Sequence, residues 1–231
     1  MGDGGGRASR GCDDLGYDHD LGQNHAEVPA PGGLMEALLD PDPDRSARTL
    51  LRIARRDVDR FVDRILPEAA VLLGRLWLED RAGFAEVTMA TSRLQSVLRE
   101  VDPGMEAPDA PLVAVVVPRG ETHTLGAAVA AWRLRRAGAS VMLLVGRPEE
   151  EVLAALGGGD LAAVCLSASG GEGATLAPLV KRLRAASGAP VVLGGSILVG
   201  RDPEAVRLAC GADAVGRTPE DALTIARKGC P

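Results

Sequence analysis

A helical bundle followed by a doubly wound, flavodoxin-like (Rossmann-like) α/β domain is the fold class that this 231-residue sequence predicts. Three observations lead there. Apolar residues recur at three- and four-residue steps from about 45 to 100, the period of amphipathic helices. Residues 101–111 (VDPGMEAPDAP) then hold three Pro, one Gly and three acids, a linker composition. Beyond them five short apolar runs alternate with helical stretches, the pattern of a parallel sheet covered on both faces.

Taken in order, residues 1–33 contain nine Gly, six acids and two Arg and almost no large apolar side chains. Such a stretch cannot bury enough surface to offset its conformational entropy, so an acidic, Gly-rich, disordered tail is expected. Met35 stands at the first helix, about 34–40. Leu50, Leu51, Ile53, Ala54, Val58, Phe61, Val62, Ile65 and Leu66 predict a helix over about 45–66. Pro67 suits the first turn of the next helix, which runs to about Asp80. A turn at Arg81 and Gly83 leads to a third, ending near Glu100. Residues 34–100 thus read as a helical cap domain.

From 112 to 231 the strands are Leu112–Val117, Val141–Val145, Leu161–Leu166, Pro190–Leu193 and Ala212–Val215. The helices between and after them are Thr124–Ala137, Pro148–Leu156, Thr175–Ala186, Pro203–Cys210 and Pro219–Lys228. Right-handed crossovers make this a five-stranded doubly wound domain, whose ligands bind beyond the carboxyl ends of the strands.

Composition narrows the function. Two Trp, two Phe and one Tyr exclude an aromatic base-stacking platform. A net charge of -6 argues against a stand-alone nucleic-acid binder. Cys12, Cys165, Cys210 and Cys230 form neither a CxxC pair nor a disulfide framework. With no apolar leader or spanning run, a soluble, reduced, cytoplasmic protein is expected.

The loop after the first strand, Pro118-Arg119-Gly120-Glu121-Thr122-His123-Thr124-Leu125-Gly126, places a His over the binding crevice. His19 and His25 lie in the tail, so His123 is the one imidazole of the folded part. An acid on its far ring nitrogen would fix the tautomer and raise its basicity as a metal ligand, and Glu121 is two residues away. A structural His is the plainer alternative. Other signatures fail on spacing. Gly195–Gly200 begins like a phosphate loop but continues Arg201-Asp202. Ser196 lacks the closing Gly of a nucleophile elbow. Gly171-Glu172-Gly173 has Leu176 where a dinucleotide fingerprint needs its third Gly. One His without an acid cluster does not suit a zinc hydrolase.

Glu121-Thr122-His123-Thr124-Leu125-Gly126 resembles the cobalamin-binding signature Asp/Glu-x-His-x-x-Gly. Ser167-Ala168-Ser169 after the third strand is similar to that family's Ser-x-Leu motif, and Gly194-Gly195 to its Gly-Gly pair. The segments Leu73–Asp80, Phe84–Thr88 and Arg93-Leu94-Gln95 resemble the cap of the AerR/PpaA group of antirepressors. The resemblance implies cobalamin, in hydroxo or alkyl form, bound base-off with His123 on cobalt. Its displaced base would enter a slot beside the first and fourth strands, lined by Ser167, Ala168, Ser169, Gly194, Gly195 and Ser196. Trp77, assisted by Phe84, would cover the upper face, with Trp132 reserved for packing. It further implies a light-responsive, non-enzymatic regulator whose partner is a repressor protein of the CrtJ/PpsR type, with DNA contacted at most indirectly and no membrane.

The sequence departs from that family in three places. Glu121 replaces the commoner Asp, which lengthens its reach. Ser169 replaces Leu, which is expected to make the slot more polar. The Glu-His pair that related photoreceptors carry ten residues after the cap Trp is Val87-Thr88, so an upper protein ligand would have to come from His19 or His25. Two other functions share the same motifs: a corrinoid methyl carrier of a methyltransferase system, and a haem sensor. Seven Arg between Arg45 and Arg64 read as a solvated helix face or a contact surface.

Overall fold

The computed structural model describes residues 33–228, apart from 102 and 104–108. The expected tail, except Gly33, and most of the expected linker lie outside the described residues.

Two short helices open the fold: α1 (Leu34–Leu39) and α2 (Pro43–Ala54). The Asp42 carboxylate accepts the N–H groups of Asp44 and Arg45, and Pro43 fills the first turn, so α2 starts there for two reasons. The continuous helix expected to Leu66 is interrupted. It stops at Ala54, and Asp57 caps a new start by accepting the Arg60 N–H at 2.9 Å. From α3 (Val58–Arg60) the chain runs through a π-helical turn, Phe61–Ile65, into α4 (Leu66–Leu78). Pro67 stands in the first turn of α4, as expected, but the helical path runs into it without a break. The wider turn, in which the Leu66 N–H reaches Phe61 O, accommodates a proline that lacks a donor and would crowd the preceding turn.

Helix α4 ends in a tight reversal. Asp80 has φ 53°, and the N–H groups of Arg81 and Ala82 both return to Leu76 O. Helix α5 (Phe84–Glu100) starts where the Gly83 N–H donates to Glu86 Oε2 at 2.7 Å.

The second half is the α/β layer. Strands β1 (Leu112–Val117), β2 (Ser140–Val145), β3 (Leu161–Ser167), β4 (Val191–Gly194) and β5 (Ala214–Val215) pair in parallel in the order β2-β1-β3-β4-β5. Helices α7 (Glu149–Leu156), α8 (Gly173–Ser187) and α9 (Pro203–Cys210) pack one face against Ala114 and Val116. Helices α6 (Leu125–Arg136) and α10 (Pro219–Lys228) pack the other against Val113, Val115 and Val117. Two boundaries differ from expectation beyond a single residue. Helix α8 begins at Gly173, where a Cβ would stand 3.1 Å from Val206 O, so the missing side chain lets α8 start against α9. Strand β5 begins at Ala214, because the Asp213 carboxylate diverts the chain to the Val191 N–H and Arg184.

Helix α6 is shared by both halves. Trp132 is 3% exposed and lies in the core of the helical bundle, together with Phe61, Leu94 and Val97. Its Nε1–H donates to Val101 O at 2.6 Å, and Arg136 stacks over its ring at 5.1 Å while binding Asp59 and Asp63. Among the described residues no helix is long and apolar enough to cross a membrane.

Removing that ring tests the junction. Trp132→Ala is expected to lower unfolding stability by about 3–5 kcal/mol, read as a reduced urea midpoint. A loss below about 1 kcal/mol would show that the bundle and α6 do not share a core.

Candidate functional site

In the order β2-β1-β3-β4-β5 the chain leaves β1 in one direction and β3 in the other, so the crevice opens at the carboxyl ends of β1 and β3. The His loop and the Ser loop meet there. After Val117, Gly120 takes φ 89° and the Glu121 N–H returns to Pro118 O. The turn carries the Glu121 side chain inward until it is only 13% exposed.

The Glu121 carboxylate gathers four donors. It accepts the His123 N–H at 2.8 Å and the Ser169 N–H at 2.8 Å. His123 Nδ1 lies 2.9 Å from Oε1, and the Ser169 hydroxyl 2.7 and 2.6 Å from the two oxygens. A carboxylate only accepts, so Nδ1 carries the proton and the neutral ring keeps its lone pair on Nε2. His123 itself is 73% exposed and faces the cavity. Burial raises the Glu121 carboxyl, but the hydrogen bonds from Ser169 and His123 outweigh it and hold the group at about 2.

Above this loop lies a cavity of about 1020 Å³. Its upper wall is helical: Val71, Gly74 and Trp77 of α4, and Phe84, Val87 and Thr88 of α5. Trp77 and Phe84 meet edge to face at 6.1 Å, yet they are 44% and 73% exposed. Its lower part is a slot running across β3 between β1 and β4, lined by Val115, Cys165, Ser167, Val192, Gly194 and Thr218. Burial pushes the Cys165 thiol up to about 12, so it lines the slot as a neutral group.

Of the nine residues singled out by sequence, Trp77, Phe84, His123, Gly126, Ser167, Ser169, Gly194 and Gly195 line this cavity. Glu121 sits behind it, holding His123. Ala168 and Ser196 also line it, and Val87 and Thr88 stand in the upper wall. His19 and His25 lie outside the described residues. Ser169 does not act as expected: its hydroxyl is turned to Glu121, and the longer reach of Glu over Asp becomes a bridge between two loops.

The two glycines differ in kind. Gly195 has φ 102°, and a Cβ there would overlap the Ala168 carbonyl oxygen and stand 2.9 Å from Ala168 N. The fold itself needs that glycine. At Gly194 a Cβ would meet only Gly216 O at 3.7 Å, an ordinary contact. The fold does not require a glycine there, and Gly194 lines the cavity.

Sequence reasoning missed a second anchor of the His loop. Gln95 Nε2 of α5 donates to Thr124 Oγ1 at 2.7 Å; the cap resemblance includes that residue, but nothing in the spacing of α5 marks it as an anchor. Cys165 was findable, since it shares a strand face with Ser167 two residues on.

No protein-family model matches the chain. An uncharacterised 20.5 kDa protein from the bchF–crtJ intergenic region of Rhodobacter capsulatus is 41% identical over 98 residues, 40% of this chain and 51% of that protein. The match thus spans about half of that relative's length. The monomethylamine corrinoid protein of Methanosarcina barkeri superimposes with a TM-score of 0.60 at 16% identity, covering 84% of this chain and 95% of that one. A cobalamin-binding protein of Desulfitobacterium hafniense DCB-2 gives 0.44 at 18% identity, over 85% and 96% of the two chains. The fold of this chain is shared with the Methanosarcina barkeri protein.

Glu121 supplies a pH test. Its carboxyl is depressed in the folded state, so its contribution is complete above about 4.5 and is lost as pH falls toward about 2. Glu121→Gln has a single acceptor for several donors. The variant is expected to be less stable by on the order of 3 kcal/mol at pH 6, with the gap closing between pH 5 and 2. A gap unchanged over that range in urea titrations would sink the assignment.

Proposed function

We propose that this chain is a cobalamin-binding, light-responsive regulator that relieves a photosynthesis-gene repressor of the CrtJ/PpsR type. The observation that carries the cofactor reading is the pairing of a carboxylate-held His123, whose Nε2 has no hydrogen-bond partner among the described residues, with a cavity that continues down along β1, β3 and β4. Among the described residues no three His, Cys, Asp or Glu side chains converge on a metal site. A metal held through His123 therefore brings its other ligands with it, as in a corrin or porphyrin. The slot distinguishes the two, because a corrin with a displaced benzimidazole has a tail to place and haem has none.

The residues fit that group. His123 would hold cobalt through Nε2. Glu121 would keep the ring in the right tautomer, and Ser169 and Gln95 would keep the loop in place. Gly194, Ser167 and Val115 would flank the inserted base, and Trp77 and Phe84 would exclude water from the upper face. When bound, cobalamin supplies a cobalt centre with an exchangeable, light-sensitive upper ligand. Val87 and Thr88, where an upper protein ligand would stand, offer neither imidazole nor carboxylate.

The regulatory role is supported by the relative from the bchF–crtJ intergenic region. The likeness to a corrinoid protein of methylamine metabolism supports a methyl carrier as the second reading. Ligand- and light-dependent binding to the repressor would establish the first. Stable methylation of the bound corrinoid by a partner methyltransferase, with no response of the repressor, would establish the second.

Absorption spectra of the purified chain with hydroxocobalamin test the cofactor itself. His123→Ala is expected to lose the base-off, His-ligated spectrum while keeping its unfolding midpoint. A spectrum like that of the unaltered chain would remove His123 from cobalt, and a Soret band from the isolated chain would favour haem. Gly194→Ala is expected to change stability by less than about 1 kcal/mol yet weaken cobalamin about tenfold or more, equivalent to about 1.4 kcal/mol. Gly195→Ala is expected to destabilise the fold with or without ligand.

A further inference from the structure

Helix α2 has one face in the bundle core and one cationic face. Ser46, Leu50 and Ala54 are fully buried. Arg45, Arg48 and Arg52, followed at the helix end by Arg55 and Arg56, lie at three- and four-residue steps on the opposite side, forming one stripe roughly 16 Å long. All five are exposed. Arg45 binds Asp40 at 2.7 Å, whereas among the described residues Arg48, Arg52, Arg55 and Arg56 have no carboxylate partner. Asp44 stands at the start of α2, and Asp57, just beyond the stripe, is engaged in capping Arg60.

The sequence contains a segment matched to this stripe. Residues 11–32, directly ahead of α1, carry Asp13, Asp14, Asp18, Asp20 and Glu27 and no Lys or Arg. Helix α1 packs on the core face of α2, so the segment joins the fold next to α2 and within reach of its outer face. Glu27 is seven residues from Leu34, a reach of about 23 Å when extended, and the aspartates reach further. Covalent attachment gives such a segment an effective concentration on the order of millimolar, which a free polyanion would have to exceed.

We propose that residues 13–27 dock in cis on the arginine stripe of α2, so that an acidic protein or a nucleic-acid backbone reaches the stripe only by displacing them. The inference is independent of the cofactor. Single exposed ion pairs are worth little. The contact is therefore a sum of several, labile to salt, and suited to exchange for a partner.

The test uses the full chain with Cys230→Ser and a nitroxide on Cys12, beside Asp13. Cys210 is buried and stays unlabelled, and Cys165, which lines the cavity, is replaced by Ala. At about 0.02 M salt the amide resonances of residues 48–56 are expected to broaden selectively. Raising salt to about 0.5 M, where screening acts within about 4 Å, should reduce that broadening about threefold or more. Arg48→Glu, Arg52→Glu and Arg55→Glu together should abolish it, and Lys at the same three positions should retain it. Broadening spread evenly over the surface, or unchanged by salt or by the Glu substitutions, overturns the proposal. A short DNA duplex supplies the competing occupant. It should bind more tightly when Asp13, Asp14, Asp18, Asp20 and Glu27 are neutralised to Asn and Gln, and equal affinity would show that the acidic segment does not cover the stripe.

Discussion

Helix α6 is buried on two sides, and the rest of the architecture follows from that constraint. Ala127, Ala131 and Leu134 press on β1 and its neighbours. Trp132, with Leu125, Ala128 and Val129, presses on the helical bundle. A helix between two layers needs small residues where backbones approach and one large residue to reach across, and the sequence from Leu125 to Arg136 supplies four alanines and one tryptophan. Polar groups at its margins fix the rotation: Arg133 and Arg136 reach Asp63, and Arg133 also reaches Glu220 of α10. His123 stands two residues before this helix. A side chain so close to an immobile element is positioned without contributing to the core, the arrangement wanted of a ligand held in fixed geometry.

The Glu121 carboxylate does the same work electrostatically. Burial alone would favour its neutral form, and a neutral acid could not accept from the His123 and Ser169 backbone together with the imidazole. The donors converge from two loops that are distant in sequence but adjacent at the switch point. The bonds from Ser169, which help to keep the carboxylate charged, therefore also hold β1's loop to β3's. Gly195 extends the assembly to the loop after β4, since only a residue without Cβ allows it to lie on the Ala168 backbone. Three strand-end loops thus form one unit, and His123 projects from it.

The legible part of this fold is the part governed by period. Alternating apolar runs and helix punctuation place all five strands and all five crossover or terminal helices within a few residues. The opposite holds where local capping overrides periodicity. Leu50 to Leu66 keeps helical spacing throughout, yet the Asp57 cap and the π turn that admits Pro67 split the segment. The residue types picked out at strand ends, His, Gly and Ser, come together around one cavity. Its connections were not. No spacing reveals that Ser169 turns to Glu121 rather than into the slot, or that Gln95 reaches Thr124, because each pair is brought together by packing between segments far apart in sequence.

The two walls of the cavity have different physical characters. The sheet side is held by hydrogen bonds at 2.6–2.9 Å around Glu121. The helical side offers Trp77, Phe84 and Val71, which remain 44–73% exposed, although exposed apolar surface ordinarily closes on itself. The α4–α5 reversal resists that closure, since Asp80, the two N–H bonds to Leu76 O and the Gly83–Glu86 pair fix its geometry. A large apolar ligand would cover the aromatic wall while bonding to the histidine wall. Gln95 spans the two, from α5 to Thr124 beside His123. Helix α5 thus touches both walls, and its inner face, Ala90, Leu94 and Val97, lies in the same core as Trp132.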